Sequence, residues 1–144
     1  MPETQNYQNH TRWFPLVHFV IFPMLTINLI WAIACVFMEF DWQRVQFLLL
    51  SFGVVLVSLA ARLQALRAQD RLIRLEERLR YKEILSPSLA DKASGLRTGQ
   101  IIALRFASDH ELPGIIERVL NGELKTNKEI KLAVKNWRGD YIRV

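Results

Sequence analysis

The sequence predicts an all-α membrane protein: a transmembrane helical hairpin whose second span extends into a long cytoplasmic stalk helix, followed by a small bundle of about three short helices. Two observations lead to this prediction. No charged residue occurs within residues 13–38 or 45–61, and neither glycine nor proline occurs within residues 54–85. Uncharged runs of roughly 20 residues are typical of membrane-spanning helices, and a run without helix breakers favours one continuous helix.

The composition of the 144-residue chain excludes several other classes. Hydrophobic residues make up 51% of it and charged residues 23%, which is too apolar for a disordered chain. One cysteine cannot form an internal disulfide framework, so a disulfide-stapled secreted module is excluded. Because the charges are concentrated outside two long apolar runs, a single soluble domain cannot account for the whole chain.

Residues 13–38 form the predicted first transmembrane helix. At about 1.5 Å of rise per residue, a helix of this length exceeds the roughly 30 Å thickness of the hydrocarbon core. Pro15 suits the first turn of a helix, whereas Pro23 lies inside the run and cannot donate a hydrogen bond to the carbonyl of Phe19. We therefore expect a kink at Pro23.

Residues 45–61 form the predicted second transmembrane helix, and residues 39–44 form a short external loop that makes the two spans antiparallel. The loop contains Arg44 beside Glu39 and Asp41, whereas the residues after the second span are rich in arginine. Basic residues are retained on the cytoplasmic side of a membrane. The sequence therefore predicts that both termini, including the tail of residues 1–12, are cytoplasmic.

Residues 62–85 form the predicted cytoplasmic stalk. Small and apolar residues recur along the second span and the stalk at alternating intervals of three and four residues. They are Ser51, Val54, Ser58, Ala61, Ala65, Ala68, Leu72, Leu75 and Leu79, and we call this line the seam. Such a seam is typical of a helix that packs against another, through small residues in lipid and through leucines in water. The partner is a second copy or another subunit of a membrane complex; alternatively, the seam packs only against the rest of this chain.

Other stalk residues give two further expectations. A second apolar line, formed by Leu59, Leu63, Leu66 and Ile73, is interrupted by Asp70, so the stalk can bury two faces. The charged residues are expected to form solvated pairs four residues apart, such as Glu76 with Arg80.

Residues 86–98 are predicted to be a linker, because they contain Pro87, Gly95 and several small polar residues. Residues 99–144 are predicted to form a small helical unit. Its helices are expected at residues 100–107, after a capping box formed by Ser108 and Glu111, and after a second capping box formed by Thr126 and Glu129. Because fewer than 50 residues form a marginal core, this unit is expected to pack against the stalk or a partner.

The last of these helices is predicted to be amphipathic, with one apolar and one basic face. Its apolar line is Ile130, Val134 and Trp137, and its basic face consists of Lys128, Lys131, Lys135 and Arg138. The basic face is interpreted first as the solvated side of an amphipathic helix, with contact to a membrane surface or to nucleic-acid phosphates as alternatives. From Ser86 onward the ten basic residues are balanced by seven acidic ones, which argues against a nucleic-acid reader.

No enzyme signature occurs in the sequence: there is no HExxH, GxSxG, paired-cysteine, Walker or dinucleotide-binding motif. We therefore predict no enzymatic activity and neither a metal ion nor a required cofactor. His18 is a candidate ligand for haem or chlorin, because a polar side chain in an apolar span requires a partner. The simpler interpretation is that His18 hydrogen-bonds a neighbouring helix or a headgroup.

Several stretches together resemble an uncharacterised family of small two-span bacterial membrane proteins, catalogued as a domain of unknown function. The stretches are Gln5, Asn6, Tyr7, Asn9, His10 and Pro15; residues 69–79; residues 104–109 with Leu112 and Pro113; and Ile130, Lys131, Lys135, Trp137, Arg138 and Tyr141. The resemblance implies a bacterial inner membrane and a two-span layout, and it brings no activity or site residues.

These observations favour a non-enzymatic integral membrane scaffold or accessory subunit, which docks in a larger membrane complex or self-associates. Two alternatives remain open at this point. One is a haem- or pigment-contacting subunit of a respiratory or photosynthetic complex that uses His18, and the other is a membrane-tethered nucleic-acid-binding regulator that uses the basic face.

Overall fold

The computed structural model describes residues 5–9 and 13–140, and every regular element in these ranges is a helix. A π-helical segment, Leu16–Ile21, precedes six α-helices: α1 Phe22–Met38, α2 Trp42–Ile84, α3 Pro87–Ser94, α4 Thr98–Leu104, α5 Leu112–Leu120 and α6 Asn127–Ala133. The predicted fold class, two long apolar helices followed by short ones, is confirmed. The remainder of the predicted N-terminal tail, and His10 and Tyr141 of the resemblance, lie outside the described residues.

The chain divides into two compact units. The apolar unit comprises residues 13–66, and the core unit comprises residues 5–9 together with residues 67–140. The helix α2 contributes its first part to the apolar unit and its residues from Arg67 onward to the core unit.

The apolar unit contains two helical stretches, Leu16–Met38 and the N-terminal part of Trp42–Ile84, that are long and apolar enough to cross a membrane. A π-helical segment, Leu16–Ile21, lies shortly before Pro23, where the sequence predicts a kink, and at its end the Phe22 N–H donates to the carbonyl of Val17. Since proline has no N–H to donate, a local change in helical hydrogen bonding before Pro23 is the expected physical response.

The loop between the two apolar helices is shorter than predicted. Only Glu39, Phe40 and Asp41 are non-helical, because α2 begins at Trp42 rather than after Arg44. A carboxylate oxygen of Asp41 accepts a hydrogen bond from the Gln43 N–H at 3.2 Å, which satisfies one of the otherwise unpaired donors of the first turn.

The linker predicted over residues 86–98 instead contains a helix. Pro87 occupies the first position of α3, where its missing N–H costs nothing, and the carbonyl of Ser86 accepts from the Ala90 N–H at 2.9 Å. Ala90 and Ala93 are buried in the core, so burial of one face of α3 compensates for its polar composition.

The core unit buries apolar side chains from α2 to α6 and from the loop after α4. Its largest fully buried side chains are Tyr81, Ile101, Leu104, Phe106, Leu112, Ile116 and Ile130. Tyr81 and Leu85, at the C-terminal end of the stalk, belong to the same cluster as the residues of α3 to α6. The short helices therefore pack on the stalk, as a segment of this size was expected to do.

Candidate functional site

The polar centre of the core unit is a buried arginine on α2, and we call the group around it the Arg80 clamp: Glu77, Arg80, Ala107 and Asp109. Arg80 donates from Nη2 to the carbonyl of Ala107 at 2.7 Å, from Nε to Asp109 at 2.8 Å, and from Nη1 to Glu77 at 3.2 Å. One guanidinium thus joins the stalk to the loop between α4 and α5. All three of its nitrogens are engaged, so the clamp is suited to holding elements together.

Glu77 is the carboxylate that this guanidinium neutralises. Its side chain is only 6% exposed, and burial raises its pKa, while the positive charges of Arg80, Arg138 and Arg105 act in the opposite direction. A guanidinium nitrogen of Arg138 lies 3.7 Å from Oε1 of Glu77. Burial also raises the pKa of the neighbouring Tyr81 hydroxyl, and the charge of Glu77 adds to that increase.

A cavity of about 500 Å³ lies beside the clamp. Its polar lining includes Gln69, Glu77, Arg80, Arg105, Arg138 and Asp140. Arg105 is paired with Asp140 at 3.0 Å, and Oε1 of Gln69 is buried without a hydrogen-bond partner among the described residues. Since each arginine of this lining lies near a carboxylate, the cavity has no concentrated charge of either sign with which to select an ion.

Most residues of the predicted seam are exposed in the structure. Val54, Ala61, Ala68, Leu72, Leu75 and Leu79 are exposed, Ser58 and Ala65 are partly buried, and Ser51 is buried. The face of the stalk that the core covers is a different one, formed by Ile73, Glu77, Arg80, Tyr81 and Leu85. Only Ile73 of the predicted second apolar line is buried.

The predicted basic face on the last helix is wrong for two of its four members. The helix α6 ends at Ala133, so Lys135 and Arg138 lie beyond it, as do Val134 and Trp137 of the predicted apolar line. Val134 is extended, Lys135 and Asn136 form a bend, and the chain then pairs with the loop after α4: Arg138 donates its N–H to the carbonyl of Phe106 at 2.8 Å. The helix therefore carries only Lys128 and Lys131 of that set.

The carboxylate of Glu111 fixes the segment after α6 through hydrogen bonds. Its carboxylate accepts from the backbone N–H groups of Lys135 and Asn136 and from the Asn136 side chain. The capping box predicted between Ser108 and Glu111 does not form, because Glu111 is used in this way. The second predicted capping box is confirmed, with the Glu129 N–H donating to the Thr126 hydroxyl at 3.2 Å.

His18 is partly buried near the start of the apolar unit. Its Nδ1 lies 2.9 Å from the carbonyl of Phe14, and its ring packs edge-on against the rings of Trp13 and Phe22. The histidine thus has a local hydrogen-bond partner and aromatic neighbours within its own unit. Its role as a haem or chlorin ligand stays a prediction, and the described residues contain no group of three or more His, Cys, Asp or Glu side chains that could hold a metal ion.

Sequence reasoning missed the Arg80 clamp. It paired Arg80 with Glu76 in solvent, whereas Arg80 is buried against Glu77. The sequence does contain a pattern that indicates the burial of Glu77. Ile73, Tyr81 and Leu85 share a helix face with it, because they are spaced from it by multiples of about four residues. An acidic side chain in the middle of an apolar face requires a buried cation nearby.

The chain matches a known protein family over its whole length. Residues 1–144 match DUF6526, a family of unknown function. No curated protein and no solved structure matches the chain.

Proposed function

The chain belongs to the DUF6526 family, and from that premise we propose that it is an integral scaffold or accessory subunit of a bacterial inner membrane, without catalysis of its own. In this proposal α1 and the first part of α2 anchor the chain in lipid. The stalk and the short helices that pack on it present a docking surface to a second copy or to another subunit of a membrane complex.

The first support for the proposal is the surface of the apolar unit. Among residues 13–66, only Ala32 and Ser51 are buried, while large side chains such as Trp31, Phe37 and Leu50 are mostly exposed. Soluble monomers rarely expose contiguous apolar patches larger than a few hundred Å². A bilayer would cover these side chains without any loss of backbone hydrogen bonds, since the segments are helical.

The observation that carries the docking role is the line of exposed leucines on α2. Leu72, Leu75 and Leu79 lie in the core unit, beyond the apolar stretches, and yet remain more than half exposed. A lipid anchor does not require apolar side chains at these positions, whereas a protein partner does. We call this line the leucine stripe.

The proposed orientation places the stalk in the cytoplasm. The residues between α1 and α2 include two acidic side chains, and Arg44, in the first turn of α2, forms an ion pair with Glu39. Six arginines follow within about 20 residues of the second apolar run, at Arg62, Arg67, Arg71, Arg74, Arg78 and Arg80. This asymmetry favours insertion with both termini on the cytoplasmic side.

The proposal is tested by mild detergent extraction from native membranes, followed by size analysis and identification of co-purifying chains. We expect an assembly larger than a monomer, which Leu75→Arg disrupts. Leu132→Arg is the matched control, because Leu132 is also 56% exposed but lies on α6, outside the stripe. A lone monomer for the unaltered chain, or equal loss of the assembly in both variants, would contradict the docking role.

A further inference from the structure

The leucine stripe and the charges that flank it on α2 identify one particular partner. Leu72, Leu75 and Leu79 are 56%, 56% and 54% exposed, whereas Ile73 and Tyr81 on the same stretch of helix are covered by the core. The intervals of three and four residues within the stripe are those of positions a and d in a coiled coil. The stripe is therefore shaped for a second helix rather than for the folded core of its own chain.

We propose that the occupant is a second copy of this chain, whose α2 packs against the first in a parallel, in-register coiled coil. With Leu72 and Leu79 at position a and Leu75 at position d, each leucine meets its counterpart across a two-fold axis. This inference rests on the proposed function, and it specifies which partner the docking surface accepts.

The charges beside the stripe select this arrangement. Arg71 and Arg78 occupy the g positions, and Glu76 and Glu83 occupy the e positions. In a parallel in-register pair each g residue faces the e residue of the next heptad, so that Arg71 meets Glu76 of the second copy and Arg78 meets its Glu83. In an antiparallel pair arginine would face arginine and glutamate would face glutamate. Both e/g pairs are therefore complementary only when the helices are parallel.

The side chains of the first pair are available for this contact. Arg71 and Glu76 are both exposed, as is Glu83. Arg78 is partly buried and donates from Nη2 to the carbonyl of Ser94 at 2.9 Å. That bond engages the Arg78 guanidinium with α3, so Arg71 with Glu76 is the pair whose charges can be exchanged without disturbing the core unit.

Insertion of α2 in the membrane adds the helix contacts that a coiled coil of this length lacks in water. Two heptads in water are short for an independent coiled coil. The same register, counted back along α2, places the small residues Ser58 and Ala61 in the second apolar run, where close approach of helices in lipid is favourable, and Ala65 and Ala68 between that run and the stripe. Two copies inserted with the same topology are also held parallel and at a high effective concentration.

Disulfide crosslinking of the full chain in native membranes tests the proposal. In a Cys35→Ala background, Leu75→Cys should form a disulfide-linked dimer under mild oxidation, because residues at d face their own counterparts. Arg67→Cys is the control, since Arg67 is exposed at a c position away from the stripe. Equal crosslinking at the two positions, or none at position 75, would overturn the parallel dimer.

Charge exchange then tests the register. Arg71→Glu or Glu76→Arg alone should lower the crosslinked fraction at position 75 by about fivefold, since two attractive pairs become repulsive in the symmetric dimer. The double exchange should restore it. Failure of the double exchange to restore crosslinking would exclude this register.

A third outcome separates this inference from the proposed function. If position 75 crosslinks to a different protein, the second copy is ruled out as the occupant while the docking role stands. If position 75 forms no crosslink to any protein and the unaltered chain is a lone monomer after mild extraction, both proposals fail.

Discussion

In the apolar unit most large apolar side chains face outward, whereas in the core unit they face one another. Trp31, Phe37 and Leu50 illustrate the first arrangement, and Phe106 and Ile116, both with no exposed area, illustrate the second. The two units differ in composition and also in the length of their helices. Helices of seven to nine residues, such as α4 to α6, are stable only when they pack together, whereas a long apolar helix satisfies its own backbone hydrogen bonds without such contacts.

The two units therefore depend on different partners for their stability. The core unit is stabilised by contacts within the chain, including a buried ion pair, so its stability responds to substitutions at particular side chains. The apolar unit depends on what surrounds it, so most single truncations on its surface should have little effect on folding. Single substitutions in the two units, studied on the full chain in detergent micelles, test this difference.

Removal of the Arg80 side chain should have the largest effect. Arg80→Ala leaves Glu77 buried without its principal cation and leaves the carbonyl of Ala107 without its donor, which should cost about 3–5 kcal/mol. The measurement is amide hydrogen exchange across α4 to α6, which reports the free energy of opening of the core unit. Arg118→Ala is the control, because its ion pair with Glu123 is exposed and should contribute less than about 1 kcal/mol. Equal effects would contradict a structural role for the clamp.

Truncation of buried and exposed aliphatic side chains compares the two units directly. Ile116→Ala should reduce the free energy of unfolding by about 2–5 kcal/mol, because Ile116 is fully buried and a cavity remains. Leu50→Ala in the apolar unit should change it by less than about 0.5 kcal/mol, because Leu50 is 64% exposed. The same exchange experiment measures both. A large cost at Leu50 would show that the apolar unit also folds around its own side chains.

Sequence reasoning succeeded where the local pattern alone determines the structure. The capping box of Thr126 and Glu129 forms as predicted, because both partners lie within one turn of the helix that they cap. The preceding helix ends at Leu120, and Gly122 just beyond it adopts a φ of 78°, a conformation that suits glycine. These features depend on neighbours in sequence, and a single sequence contains that information.

The failures occur where a distant segment competes for the same groups. Ile130, Val134 and Trp137 have helical spacing, yet the helix stops at Ala133 because the chain pairs with Ala107 and its backbone N–H groups bind Glu111. Arg80 was assigned to solvent because its partner Asp109 is 29 residues away. The spacing of residues along one helix does not indicate such long-range partners, so the candidate site was less predictable than the fold.

The confirmed capping box provides a smaller test within the core unit. Thr126→Ala should reduce the free energy of unfolding by about 1 kcal/mol, because the Glu129 N–H loses its acceptor. Hydrogen exchange in α6 should show the loss most directly. Lys128→Ala, an exposed substitution on the same helix, is the control and should have little effect. A loss of similar size in the control would indicate that α6 is sensitive to any change in its first turn.

The pH dependence of stability should show the smallest effect, with opposite signs for two glutamates of the core unit. Burial raises the pKa of Glu77 in the folded chain above 4.5, so its contribution to stability is fully present below pH 4.5 and is lost as the pH rises through its folded value. Backbone N–H groups of Thr126 and Lys125 lower the pKa of Glu129, so its contribution is present above pH 4.5 and is lost as the pH falls through its folded value.

Glu77→Gln should therefore remove a decrease in stability above pH 4.5, and Glu129→Gln should remove a decrease below it. Both are measured as the difference between variant and unaltered chain in the free energy of unfolding, from hydrogen exchange corrected for the intrinsic effect of pH. If both variants changed the pH profile in the same direction, the pKa of Glu77 would be lowered, and attraction to Arg80 would outweigh the cost of burial. An unchanged profile for Glu77→Gln would show that Glu77 behaves as an ordinary solvated carboxylate, which would contradict its burial under the short helices.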